Sequence, residues 1–355
     1  MRLILGMVCL FALTVQAQDY PAKPIRMLVP FAPGGAVDTA ARVLAQAMQE
    51  RVKWQFVIDN RPGGNGFIAT TAVAKSAADG YTLLMAHTGE FAVNPALFDN
   101  VPYDLERDFV AITMVSDAPM LYLANAKAPF NTFQELVAQA KAKPGAISFG
   151  SAGNGSINHL AGEWLAQAAG IQLLHVPYKG GAPAAAAVAA GDVHFGVMAA
   201  PGAIPHIKSG RSKVIGITTA KKSPLDPSWA TPRDAGIPDL DASIWVGLFA
   251  PKGTPQAIVD RVNKEVRQTL GSPEVQKKFV ETQEQSVAIG GRARNLLSAD
   301  LPARAGLVLD QHRLAERGAQ PGSDQARQHI RESTGERHNE AHRLRRKRLG
   351  PGRER

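Results

Sequence analysis

Cysteine is all but missing: Cys9 is the sole one in 355 residues, and it lies in an apolar leader. A mature chain without it has no disulfide framework and no cysteine-ligated zinc or iron site. Histidine does not fill the gap, because His87, His175, His194 and His206 show neither HxxxH nor His-x-His spacing. No metal or cofactor is expected. After the leader no apolar run reaches the ~18 residues that suggest a membrane span, so the mature protein is expected to be soluble. Nucleotide motifs are also missing. APGGAVD, Ala32 to Asp38, matches neither GxGxxG nor GxxxxGK[ST]. GSAGNGS, Gly150 to Ser156, has Gly153-x-Gly155 but neither the later glycine nor an acid about 20 residues on. No serine here sits in a GxSxG elbow.

What the first 17 residues do have is the layout of an export signal. Arg2 gives a positive start, Leu3 to Val15 a mostly apolar run of 13, and Val15-Gln16-Ala17 small residues at −3 and −1. Cleavage after Ala17 is predicted. Thirteen residues are too few to cross a ~30 Å hydrocarbon core. Cys9 lacks the neighbours and the preceding apolar length of a lipid-anchor site. An exported chain of this size without disulfides reads as a bacterial periplasmic protein.

Charge is unevenly spread. The net is +9, yet residues 292–355 hold 14 Arg and one Lys against eight acids, a net of +7, and residues 1–291 are close to balance at +2. Lysine outnumbers arginine 15 to 10 before residue 292 and trails it 1 to 14 afterwards. The tail has no aromatic residue and little apolar periodicity after Leu309. It reads as a solvated, disordered basic segment, or as the product of a reading-frame shift near residues 281–292. RLRRKR, Arg343 to Arg348, is not taken as a nucleic-acid site, since a periplasmic protein meets little nucleic acid. A monomer is expected.

Between leader and tail, short apolar strands alternate with helical segments. Ile25–Val29 precedes a helix from about Asp38 to Arg51. Phe56–Ile58 precedes NRPGGNG and a short helix near Phe67–Ala74, and Thr82–Met85 precedes AHTGEFAVNP. A second set starts with strand Met120–Leu123 and a helix capped by Asn131 or Thr132 that runs to Ala142. Strands Ala146–Phe149, Leu173–Val176, Val193–Met198 and Val214–Thr218 follow, with helices between them. Ser243–Ala250 reads as a strand, then helices Pro255–Leu270, with Pro255 at the first helical position, and Pro273–Glu281. This order predicts an α/β fold of two tandem units, each a mainly parallel sheet flanked by helices.

Three Gly-rich turns join a strand to a helix: Pro30 to Asp38, Gly150 to Asn158, and Pro177 to Gly181. In open parallel sheets, ligands bind beyond the carboxyl ends of the strands. Free helix N-terminal amides and bare glycine backbone there suit an anion. Two such loops on opposed units would hold the two ends of a small dicarboxylate. The individual residues keep alternatives. Each turn is a ligand loop or only a turn. His159 packs or caps, or acts as a base. Lys179 is a solvated amine, an anion contact or a Schiff-base lysine. Asp38 caps its helix or touches the ligand, and Trp245 packs in the core or at a hinge, or stacks.

The motifs KPIRMLVPFAPGGAVDTAARVLA, VIDNRPGGNG, ADGYTLL, NPALF, VPYDLERDFVAITMV, FGSAGNGSINHLAGE, VPYKGGAPAAAAVAAGDVHFGV, IPHIKSGRSKVIGITT and WVGLFAPKGTPQAIVDRVNKEV follow in this order. Together, over about residues 20–285, they resemble the substrate-binding proteins of tripartite tricarboxylate transporters, the Bug receptors. The resemblance implies a two-lobed type II periplasmic binding protein architecture. Lobe one would be residues 18–118 plus 243–291 and lobe two residues 119–242, with 1–17 as the signal and 292–355 as the atypical tail. It implies a periplasmic receptor that captures a small organic carboxylate and delivers it to membrane transporter subunits, with no chemistry of its own. The alternatives are a hydrolytic enzyme using Ser151 or Ser156 with His159, and a sensing subunit for a membrane kinase. The family's ligand loops fall on Phe31 to Asp38, on Thr88, on Gly150 to Ser156 and on Pro177 to Gly180. Ala32, Gly34 and Gly35 would donate amides from lobe one. Ser151, Ala152 and Ser156 would answer from lobe two, in the loop with Gly150 and Gly155. Phe31 and Tyr178 would wall the pocket beside Lys179 and Gly180. Two departures stand out. Many relatives carry an aspartate near Ala199 that this chain lacks, which favours a plain carboxylate over an amino-bearing ligand. The basic tail replaces the family's usual last helix.

Overall fold

The computed structural model describes residues 20–223, 226–237, 242–282 and 285–286. The expected leader and the basic tail lie outside the described residues. All the described residues belong to one contiguous unit, residues 1–302. The chain begins β1 (Ile25–Val29), α1 (Ala36–Val52), β2 (Phe56–Asn60), α2 (Phe67–Ala74) and β3 (Thr82–His87). A π-turn at Gly89–Val93, α3 (Asn94–Leu97) and α4 (Leu105–Asp108) lead to β4 (Phe109–Asn125). Next come α5 (Phe133–Ala142), β5 (Ser148–Ser151), α6 (Ile157–Ala169), β6 (Leu174–Pro177) and α7 (Gly181–Ala190). The chain continues with β7 (Phe195–Ala199), α8 (Ala200–Lys208), β8 (Ser212–Ile217) and β9 (Ser243–Pro251). It ends in α9 (Gln256–Leu270), α10 (Pro273–Glu281) and β10 (Gln285–Ser286).

The fold is α/β and two-lobed. In one lobe β2, β1 and β3 lie side by side and parallel, and in the other β6, β5 and β7 do the same. Antiparallel pairing enters where the lobes are joined. β4 runs through both: residues 109–119 pair with β9, and residues 120–125 lie between β7 and β8. β9 also pairs with β3.

The sequence pattern picked out only the lobe-two end of β4. Register shifts between Ala111 and Thr113 and between Met114 and Ser116 break the period of two that would mark residues 109–119 as strand. Asn263 of α9 donates to the Ile112 carbonyl at 2.6 Å, which satisfies a group at the first shift. Where β4 changes lobes, the buried Thr218 hydroxyl accepts the Met120 N–H at 3.1 Å and donates to the Ala242 carbonyl at 2.6 Å. That ties the outgoing crossing to the returning one.

Each parallel sheet is covered on both faces, so β1 and β3 are nearly continuous apolar runs. α1 lays Val37, Ala40, Ala41, Leu44, Ala47 and Met48 against the core, the spacing of one helix face. It starts at Ala36 with Gly35 as its cap, two residues before the expected Asp38. α9 buries Val259, Val262, Val266 and Leu270 by the same logic. Pro255 is the cap of α9 (φ −52°, ψ 132°), not its first helical residue. Arg51 at the end of α1 donates to Thr269 of α9 at 2.8 Å, and α10 follows onto the same surface through Lys278 and Glu50, 3.2 Å apart. The end of the described chain thus returns to the first lobe.

Candidate ligand-binding cleft

A cavity of about 280 Å³ lies between the lobes. Lobe one lines it with Phe31, the turn at residues 63–66, Phe67 and Phe98; lobe two does so with residues 152–154, Tyr178 and Lys179. All but Phe98 follow the carboxyl end of a parallel strand: β1, β2, β5 or β6.

On the lobe-one side, Phe31 rests on the His87 ring with centroids 4.5 Å apart. Behind it Asp38, 2% exposed, is the third residue of α1. Its Oδ2 accepts the Gly34 N–H and Arg42 Nε, both at 2.8 Å, and its Oδ1 accepts Asn60 Nδ2 at 2.9 Å. Burial pushes this carboxyl up, but the donors from Arg42, Gly34 and Asn60 outweigh it and hold the group below its usual range. Asp38 therefore fastens the turn ahead of α1 and does not line the cavity. The Gly34 amide, expected as a ligand donor, is already taken by Asp38. Gly34 (φ +84°) makes the turn that brings this amide round to the carboxylate. Gly35 is the cap of α1, and the amides of Ala36 and Val37 have no acceptor within the helix. Asn60 Nδ2 also donates to the Phe31 carbonyl at 3.0 Å, which fixes the pocket wall.

Across the cleft, Ser151 is fully buried in β5. Its Oγ lies 2.6 Å from His175 Nε2 and 3.1 Å from the Gly153 carbonyl, and it accepts the Gly153 N–H at 3.2 Å. The His175 ring stacks on His159 with centroids 3.8 Å apart. Burial, and then the neighbouring His159, push His175 down to about 3, so it is neutral near pH 7. Ser156 caps α6: it accepts the His159 N–H at 3.2 Å and donates to the Gly153 carbonyl at 2.7 Å. His159 Nδ1 accepts the Gly155 N–H at 3.0 Å. Of the two serines expected with His159 in a hydrolytic site, Ser151 thus pairs with His175, and Ser156 meets His159 at its backbone N–H and not at its ring. Gly155, Ser151 and Ser156 shape the loop and do not line the cavity.

The remaining expected residues divide. Ala152, Tyr178 and Lys179 line the cavity. Gly150 lies beneath Tyr178, and a methyl there would stand 3.2 Å from Cε2 of the ring. Thr88 is elsewhere: its hydroxyl donates to the Ser243 carbonyl and accepts the Trp245 N–H, both at 3.2 Å, which pins β3 to β9. Trp245 is buried in the core. Gly180 faces Ala32, whose N would lie 3.5 Å from a methyl there, and Gly34 faces Ala182 at the same spacing. The starts of α1 and α7 therefore meet across the cleft. Lys179 is the one charged residue in the described lining, and no acid lines it. Burial and Asp192 raise the Tyr178 phenol, which stays protonated.

Gly153 and Asn154 line the cavity from within the expected Gly150 to Ser156 loop, whereas sequence reasoning missed residues 63–67 and Phe98. NRPGGNG carried the signal, being a Gly-rich turn between strand and helix like the other three. Phe98, just after α3, had no local signal.

Residues 40–314 match the model of the tripartite tricarboxylate transporter family receptor. Protein BugT of Bordetella pertussis is 36% identical over 299 residues, which cover 84% of this chain and 92% of BugT. A solved R. palustris protein with adipate aligns at a TM-score of 0.78 and 31% identity, covering 84% of this chain and 98% of that one. MatC from Rhodopseudomonas palustris with bound malate aligns at 0.75 and 28%, covering 81% and 98%.

Proposed function

This chain belongs to the tripartite tricarboxylate transporter receptor family, a family of solute-binding receptors, and from that premise we propose that it captures a small organic carboxylate between its lobes. The observation that carries this reading is the lining itself: one lysine, glycine-rich backbone and four aromatic rings, with no acid among the described residues. Lys179 directly precedes the start of α7, so its charge and the helix amides act on the same anion. Phe31 and Tyr178 cover the apolar middle of the ligand. Adipate and malate, bound by two similar proteins, set the size class to try first.

Lobe one is taken as residues 18–118 plus 243–291 and lobe two as 119–242. The change of partners along β4 at Pro119 and Met120, and the start of β9 at Ser243, support this division. Cleavage after Ala17 would release the protein into the periplasm, where it acts as a monomer and passes its ligand to membrane transporter subunits. It performs no reaction of its own. Ser151 is buried behind the cavity beside His175, and Ser156 is buried as the cap of α6, which leaves the hydrolytic alternative without an accessible nucleophile. The test is a thermal-shift series with adipate, malate and other mono- and dicarboxylates, each assayed for consumption. A rise in Tm with the acid unchanged supports the receptor. No shift with any carboxylate, or appearance of product, overturns it.

A further inference from the structure

The turn after β2 reaches across the cleft. Asn65 Nδ2 donates to the Asn154 carbonyl of the opposite lobe. The same side chain sits on two glycines. A methyl on Gly153 would stand 3.0 Å from Asn65 Oδ1; one on Gly155 would stand 3.2 Å from Nδ2 and 3.0 Å from Phe98 Cζ. Bare backbone at both positions lets the turn close down.

The pose of Asn65 is set from the core. Its backbone is left-handed (φ 50°, ψ 39°), a conformation that asparagine tolerates better than most residues. Its carbonyl accepts Asn94 Nδ2 at 2.9 Å. The same nitrogen donates to the Tyr103 oxygen at 2.9 Å, and the Tyr103 hydroxyl donates to the Glu90 carbonyl at 2.8 Å. Asn94, Tyr103 and Glu90 are all buried. A methyl on Gly66 would collide with the Glu90 carboxylate, so the turn rests directly on this pedestal.

We propose that Asn65 is an interlobe latch that favours the closed cleft through its own side chain, with Asn94 and Tyr103 as the positioning residues that hold its pose. The inference rests on the two-lobed receptor reading above. The contact is made by protein atoms alone, so it biases the open–closed equilibrium before a ligand binds. A ligand that needs the closed form binds more tightly in proportion to that bias.

The test uses the full chain with Cys9→Ser, which leaves no native cysteine, and spin labels at Ala77→Cys in lobe one and Lys143→Cys in lobe two. Distance distributions are measured without ligand. Asn65→Gly keeps the left-handed backbone and removes only the side chain. It is expected to lower the closed-to-open ratio about fivefold, the size of one net hydrogen bond. Asn65→Asp, which faces the Asn154 carbonyl with an acceptor, lowers it at least as far and serves should the glycine variant lose its fold. Tyr103→Phe lowers it about twofold, as expected for one loosened bond, and adds nothing in the Asn65→Gly background. Superimposable distributions for the parent and both Asn65 variants overturn the latch. Full additivity of Tyr103→Phe with Asn65→Gly overturns the pedestal. Because the labels are read without ligand, failure of adipate and malate to raise Tm would count against the carboxylate reading and leave this result standing.

Discussion

Ser151 Oγ and His175 Nε2 stand 2.6 Å apart in the wall of lobe two, behind the cavity and not in it. The pair has the atoms of a nucleophile and its base, and its surroundings tie both into the wall of the lobe. Ser151 has no exposed surface, and its hydroxyl also faces the Gly153 carbonyl and N–H. His175 is neutral and stacked on His159. The pair is therefore a fastening between β5 and β6 beneath the Gly-rich loop.

That fastening should make stability depend on pH. Burial and His159 hold the folded His175 pKa at about 3, below its ordinary 6.5. Between these values the unfolded chain binds the extra proton, so stability rises with pH and is lost as pH falls from 6.5 towards 3. A His175→Gln variant keeps an amide near Ser151 and removes the titration. From pH 6 to 4, the parent is expected to lose about 1 kcal/mol per pH unit more than the variant in urea denaturation. Equal slopes would show that this ring does not carry the effect.

Asp38 fastens the other side. Asp38→Ala strips acceptors from the Gly34 amide, Arg42 and Asn60 at once, beneath the turn that carries Phe31. A loss of about 2–3 kcal/mol is expected in denaturant melts, the range for charge-assisted bonds at a buried carboxylate. A loss under 0.5 kcal/mol would place the carboxylate among ordinary surface groups.

Regular pieces of this fold were legible because local signals agree. β1 is bounded by turn residues, α10 has Ser272 as cap and Pro273 at its first position, and α5 pairs the Thr132 cap with Glu135 three residues on. The lobe-one half of β4 was not legible, since bulges hide its alternation. The cleft was legible as a set of loops but not atom by atom. A glycine-rich turn shows where backbone can approach a ligand. It does not show which amides are already taken: Gly34 by Asp38, Gly155 by His159. Those partners are side chains four residues on, a distance at which cap and ligand donor look alike in sequence. Asn65 depends on Asn94 and Tyr103, 29 and 38 positions away, and no local pattern announces such a relay.

α10 gives a test of how the chain end supports lobe one. Phe279 is fully buried beneath this short helix. Phe279→Ala deletes a ring whose site can only partly collapse, and about 3–4 kcal/mol of stability should go with it. Urea melts followed by far-UV circular dichroism would read this directly. A cost below 1 kcal/mol would mean that α10 is not packed on the lobe in solution.

Lys179 separates binding from structure. Its side chain is exposed to the cavity and has no acid beside it in the described lining, so the fold asks little of it. Lys179→Ala should leave the unliganded protein within about 0.5 kcal/mol of the parent. Calorimetric affinity for adipate or malate, whichever raises Tm more, should fall about tenfold, since the variant removes a charged donor and leaves a carboxylate facing α7 amides alone. Lys179→Arg should recover part of the loss, because it restores charge with different geometry. Unchanged affinity in the alanine variant would move the carboxylate away from α7. The search for its partners would then turn to the first-turn amides of α1, those of Ala36 and Val37, just ahead of Asp38.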